Sequence, residues 1–152
     1  MKEFENIKTF KDFINEVSKD KEISMSPKNL KELRILLKSV IKERGLEGDF
    51  NDIDVSNITD LTELFWESNF NGDISKWDVS NVKSLNSTFS ESSFNGDISN
   101  WDVSNVEDMD YVFYKAKKFK GNLDKWKPKK LKTKEDAFEG SPLEGKEPKW
   151  YK

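Results

Sequence analysis

Apolar residues recur along this chain in two alternating rhythms, and both return every 24 or 25 residues. Ile74, Trp77 and Val79 stand around outward Asp78, the spacing of a short strand with one face inside. Val82, Leu85 and Phe89 follow at i, i+3 and i+7, the stripe of a short helix, with Ser80 or Asn81 where an N-cap belongs. FNGDISKWDVSNV, Phe70 to Val82, comes back as FNGDISNWDVSNV, Phe94 to Val106. Trp77, Trp101, Trp126 and Trp150 share one column at spacings of 24, 25 and 24, with Ile53 in the preceding slot. Phe65, Phe89, Phe113 and Phe138 form another column, and Phe70, Phe94, Phe119 and Leu143 a third. Pro128 and Lys134 break two further columns that are otherwise apolar. Glycines 72, 96, 121 and 145 are read as the turns returning the chain to the next strand.

A period of this length is one coil of a repeat protein, in which each unit buries its apolar face only by stacking on its neighbours. The pattern predicts an α/β repeat over residues 47–152: a leucine-rich-repeat-like, right-handed solenoid of about four coils, with a strand and a helical turn in each. Trp77, Trp101 and Trp126 are expected in a buried stack. Residues 1–46 follow a helical period instead. Phe10, Phe13, Ile14 and Val17 predict one helix from about Thr9 to Ser18. Ser26 and Pro27 open a second, with Leu30, Leu33, Leu37, Val40 and Ile41 inward and Gly45 as its stop. The pair is expected to be a two-helix amino-terminal cap on the first coil.

FNGDISKWDVSNVKSLNSTF resembles the BspA-like leucine-rich repeat family of bacterial surface proteins and mycoplasma lipoproteins, over about residues 50–150. The resemblance implies a leucine-rich-repeat solenoid that binds proteins or surface ligands, and it implies no catalytic residues.

Composition narrows the chemistry. The chain has no cysteine and no histidine, which excludes disulfides, thiolate nucleophiles, Cys/His zinc sites and imidazole acid–base catalysis. No calcium-loop spacing is present, no cofactor is implied, and carboxylates alone on a shallow coil surface do not make a hydrolase. The start, MKEFENIKTFKDF, lacks an apolar core of the kind secretion signals carry, so a cytoplasmic monomer that spans no membrane is expected.

Charge is strongly polarised although the net is only -3. Residues 45–114 hold 15 Asp and Glu against two lysines, Lys76 and Lys83, a net of -13. Residues 115–134 hold ten lysines against Asp124, a net of +9. Stacked coils convert this into an acidic middle and a basic band. Within the acidic part Asp54, Asp78 and Asp102 occupy one outward column, with Lys76 and Asn100 beside it. Carboxylates about 4.8 Å apart repel by about 1 kcal/mol in water, so they are either relieved by the following Ser-Asn turns or displayed to a basic partner. Trp66 matches no aromatic column and is either packed on the cap or an exposed anchor. The band Lys115, Lys117, Lys118, Lys120, Lys125, Lys127, Lys129, Lys130 and Lys132 suits an acidic protein or a phosphate backbone. Trp150 to Lys152 resemble the start of a further strand, an edge open to pairing.

These features point to a non-enzymatic protein-binding module. The first expectation is a small cytosolic inhibitor of a macromolecular partner, another protein or a nucleoprotein complex, of the immunity or phage anti-defence type. The alternatives are a surface adhesin and nucleic-acid contact through the lysine band.

Overall fold

The computed structural model describes residues 25–152, so the predicted helix at 9–18 lies outside the described residues. Helix α1 (Leu30–Arg44) leads into a stack of coils at about residues 46–69, 70–93, 94–118 and 119–142, with a 3-10 turn at Lys149–Tyr151 beyond them. Asn29 rather than Ser26 caps α1: its side chain accepts the Glu32 N–H at 3.0 Å, and Glu32 accepts the Lys28 N–H at 2.8 Å. Gly45 stops the helix at φ 77°, its N–H returning to the Ile41 carbonyl. Leu33, Leu36, Leu37 and Val40 face the first coil and join one continuous core that runs to Phe138. Two arginines fix this docking. Arg34 donates to the Thr62 carbonyl at 2.7 Å, and Arg44 grips Asp52 bidentately at 2.6 and 2.7 Å.

The expected α/β leucine-rich-repeat solenoid is not what forms, and of the expected two-helix cap only the second helix, α1, falls within the described residues. Among the described residues there is one α-helix and no strand or sheet, only isolated parallel bridges such as Asp60 to Ser84 and Ser84 to Asp108. The inward-outward alternation is real but lasts three residues, as at Trp77, Asp78 and Val79, because tight turns flank it. The Trp77 N–H closes on the Ile74 carbonyl at 3.2 Å and the Val82 N–H on Val79 at 2.9 Å.

The expected helical turn is a run of turns too. In coil one the N–H groups of Leu61, Glu63, Phe65 and Glu67 leave the coil and donate to Ser84, Asn86, Thr88 and Ser90 of the next. The N–H groups between them, on Leu64, Trp66 and Ser68, close i to i-3 turns. A helix would direct all of these along its own axis. What prevents it is a left-handed residue twice per coil: Glu63 and Glu67, Ser87 and Glu91, Tyr111 and Lys115, then Asp136 and Gly140. For a side chain other than glycine that conformation costs about 1–2 kcal/mol. In coils one to three the intercoil hydrogen bonds made by the same residues offset it.

Trp77, Trp101, Trp126 and Trp150 stack at centroid separations of 6.4, 6.4 and 6.2 Å, the first three buried and the last partly so. Each indole N–H donates to a carbonyl of the preceding coil, on Phe50, Ile74, Ile98 and Leu123 in turn, at 2.8 to 3.1 Å. Beside them run Phe65, Phe89, Phe113 and Phe138 at 5.3 to 5.8 Å. The glycines at 72, 96 and 121 do not have left-handed φ, so the turn reading of them was mistaken. They are needed because a phenylalanine ring lies over each. A Cβ at Gly96 would stand 2.7 Å from the Phe94 ring, and one at Gly72 only 2.4 Å from Phe50.

Trp101→Ala is therefore expected to cost about 3–5 kcal/mol, a fall in melting temperature of about 10 °C or more. Trp101→Phe keeps a ring but removes the intercoil donor to the Ile74 carbonyl, which retains only the Trp77 N–H, for about 0.5–1.5 kcal/mol. A calorimetric scan in which Trp101→Phe melts with the parent would show that the indole N–H does not hold the coils. Gly96→Ala should also melt earlier, because the Phe94 ring has to move.

Candidate functional site

Alternation around the buried tryptophans places two polar columns on one side of the stack. Asp54, Asp78 and Asp102 are exposed, and coil four continues their column with Lys127. Asp52, Lys76, Asn100 and Lys125 form the neighbouring column, also exposed. Each aspartate of the first column accepts the N–H two residues on, from Ser56, Ser80 or Ser104, at 3.0 Å. Asp54 also accepts the Ser26 hydroxyl at 3.0 Å, so the segment leading into α1 engages it.

A second acidic column escaped the sequence reading. Asp49, Asp73 and Asp97 are exposed and accept the N–H groups of Asn51, Ser75 and Ser99 at 2.9 Å. The repeated GDIS was its signal. In coil four the same turn is made by Asn122, accepting the Asp124 N–H at 2.9 Å. The local turn therefore does not require a charge, and the carboxylates of the earlier coils add an electrostatic feature that folding alone does not demand.

Hydrogen bonding holds several of these carboxyls below the usual carboxylate range. For Asp54, Asp97 and Asp102 the following serine hydroxyl contributes first and its N–H second. For Asp73 the Ser75 N–H contributes first. The Asp73 charge opposes this at Asp97, and Lys129 reinforces it at Asp102.

Acidic and basic surfaces meet between coils three and four. Asn100, Asp102 and Ser104 face Lys125, Lys127 and Lys129 across an open depression of about 330 Å³. Lys125 Nζ donates to the Asn100 amide oxygen at 3.3 Å, and Lys132 pairs with Glu107. A second open groove, about 500 Å³, lies past coil four; Trp126, Pro128, Leu131 and Trp150 line it together with lysines.

The structure divides the predicted site. Asp102, Asn100, Lys125, Lys127 and Lys129 come together at the seam, and Asp54, Asp78 and Lys76 extend that face toward α1. Lys132 is shared between an ion pair and the end groove. Lys115, Lys117, Lys118, Lys120 and Lys130 are exposed but line neither depression, and Lys115 lies over the Tyr114 ring at 4.6 Å. Trp66 is 48% exposed within the turn segment of coil one, away from both depressions. Phe119 and Trp126, the aromatics interleaved with the lysines, are buried and present no face for base stacking. No group of three Asp or Glu among the described residues could hold a metal ion, and none of the described helices is long and apolar enough to cross a membrane.

Residues 36–150 match a protein family described as Mycoplasma protein of unknown function, DUF285. The chain belongs to this family. The matched span takes in most of α1 and all four coils, and the family is related to mycoplasma surface repeat proteins. No curated protein and no solved structure matches the chain.

Depressed carboxyl pKa values make a signed prediction. Their stabilisation is present above the unfolded value, about 3.9 for aspartate, and is lost as pH falls through the lower folded values. The melting temperature should hold steady near neutrality and decline below about pH 4. Carboxyl ¹³C titration should place Asp97 and Asp102 below the aspartate reference; midpoints at or above it would show that the serine turns do not stabilise the ionised form.

Proposed function

We propose that this protein is a non-enzymatic protein-binding module whose recognition surface is the polarised face running from Asp54 to Lys127. One observation carries the reading. Exposed carboxylates continue down two columns; in one of them Asn122 makes the same turn without a charge in coil four, and the other switches to lysine at the seam. Such a face selects a partner of complementary charge pattern, and steers its approach, by charge rather than by apolar area.

A small inhibitor and a surface adhesin would both use a face of this kind. Kinship with mycoplasma surface repeat proteins favours the adhesin setting, and the finer likeness to BspA-type repeats in FNGDISKWDVSNV is in keeping with it. The inhibitor reading rests on the polarity of the face. Nucleic-acid contact is the weaker alternative, since the buried Phe119 and Trp126 leave the lysines without stacking partners.

The immobilised chain should capture a discrete partner from a fractionated host-cell surface or cytosolic extract. Asp78→Lys with Asp102→Lys should abolish capture while leaving the melting temperature within a few degrees. Equal capture by the reversed variant would refute the face as the recognition surface. Retention on heparin or duplex DNA that collapses with added salt would instead support the nucleic-acid alternative.

A further inference from the structure

The outer side of coil four differs from the corresponding side of coil three. In coil three the N–H groups of Met109, Tyr111 and Phe113 donate onward to Thr133, Glu135 and Ala137 at 3.0, 2.8 and 2.8 Å. Their counterparts Lys134, Asp136 and Phe138 have no backbone acceptor among the described residues. Val103 and Val106 are buried beneath coil four, whereas Pro128 and Leu131, in the same columns, are half-exposed on the floor of the 500 Å³ groove. Of the three unmatched donors only that of Lys134 borders the groove, since Phe138 is buried against Trp150 and Tyr151; the coil thus presents one free backbone donor, an apolar floor and a lysine rim on that side.

Its inner side shows what such a coil accepts. There it carries the acidic stretch Asp102 to Asp110. The Glu107 carbonyl takes the Lys132 N–H at 2.8 Å, its carboxylate pairs with Lys132, and the Asp110 carboxylate takes the Glu135 N–H at 2.6 Å. Acidic and aliphatic residues alternate in that stretch, and the aliphatic ones are buried.

We propose that the groove on the outer side of coil four binds an acidic, aliphatic-bearing peptide segment of a partner protein, laid along Pro128 to Lys134 as Asp102 to Asp110 is laid along the inner side. One of its carbonyls meets the Lys134 N–H, its aliphatic side chains cover Pro128 and Leu131, and its charge is neutralised chiefly by Lys127 and Lys129. A polynucleotide satisfies the lysines but has no aliphatic groups for the floor. A second copy of this chain is poorly suited, since the acidic stretches of its coils two and three are already covered on both sides by their own neighbours. The inference rests on the protein-binding reading; the groove shares Lys127 and Lys129 with the seam depression, but its floor of Pro128 and Leu131 lies apart from Asp78 and Asp102.

The probe is a fluorescein-labelled synthetic peptide with the sequence WDVSNVEDMD, titrated with the whole chain and followed by anisotropy. Saturable binding is expected. It should weaken at least tenfold when the peptide's Asp and Glu are replaced by Asn and Gln, and at least tenfold on the Lys129→Glu, Leu131→Ser double variant. If that variant fails to fold, Lys127→Glu alone should weaken binding several-fold. The Asp78→Lys, Asp102→Lys variant should bind the peptide no more weakly than the parent, so loss of partner capture there with retained peptide binding would sink the lateral face and leave the groove standing. No saturation at low salt, or equal binding of the neutral peptide, overturns the groove. So does a dimer that Leu131→Ser dissolves, or single-stranded DNA binding to the groove while the peptide does not.

Discussion

The bond from each indole N–H to a carbonyl of the preceding coil is the constraint on which this architecture depends. A coil made of turns has few hydrogen bonds of its own and no sheet to lock its register against the next. The tryptophan supplies a large apolar surface and a directional tie in one side chain, and it does so at the same point of coils two, three and four and again at Trp150. Once that register is set, the backbone donors of Leu61, Glu63, Phe65 and Glu67 meet their acceptors one coil away, and the equivalent sets follow. The left-handed residues that would be costly in isolation become tolerable, because their strained φ is what points those donors outward.

Sequence reading located the inside of the protein well and the path of the backbone badly, for one physical reason. A spacing of three to four residues between apolar side chains belongs to a helix and equally to a train of tight turns. Leu85 and Phe89 are buried on either account. What separates the two is the backbone at Ser87 and Glu91, and neither residue advertises a left-handed conformation as glycine would. The glycines that are present misled in the opposite sense, since Gly72, Gly96 and Gly121 make room for a phenylalanine ring. Likewise Ser80 and Asn81 looked like helix caps. Ser80 closes a turn on Asp78, and Asn81 reaches the Ser56 carbonyl at 2.8 Å, tying two coils together.

The surface was legible where it followed the three-residue alternation. Asp54, Asp78 and Asp102 could be placed outward from their neighbours alone. The column Asp49, Asp73 and Asp97 could not, because each follows a glycine, which offers no inward side chain from which to read an alternation. The groove past coil four was less visible still. It arises from Pro128 and Leu131 lying half-uncovered, and their letters resemble those of the buried columns to which they belong.

Coil four also shows how separately core and surface are specified. It keeps Trp126, Phe119 and Phe138 for stacking, keeps the turn with Asn122, and replaces Asp by Lys in the outward column at Lys127. The exchange places a cationic coil against an anionic one, so the Glu107 to Lys132 pair and the Lys125 to Asn100 bond replace the repulsion that a further acidic coil would bring. Charge reversal at one end of the stack therefore relieves like-charge crowding inside the molecule and, by the same side chains, gives its surface two faces of opposite sign. Because these groups sit on coils fixed by stacked rings and intercoil ladders, a partner meets them already in place and little ordering remains to oppose binding.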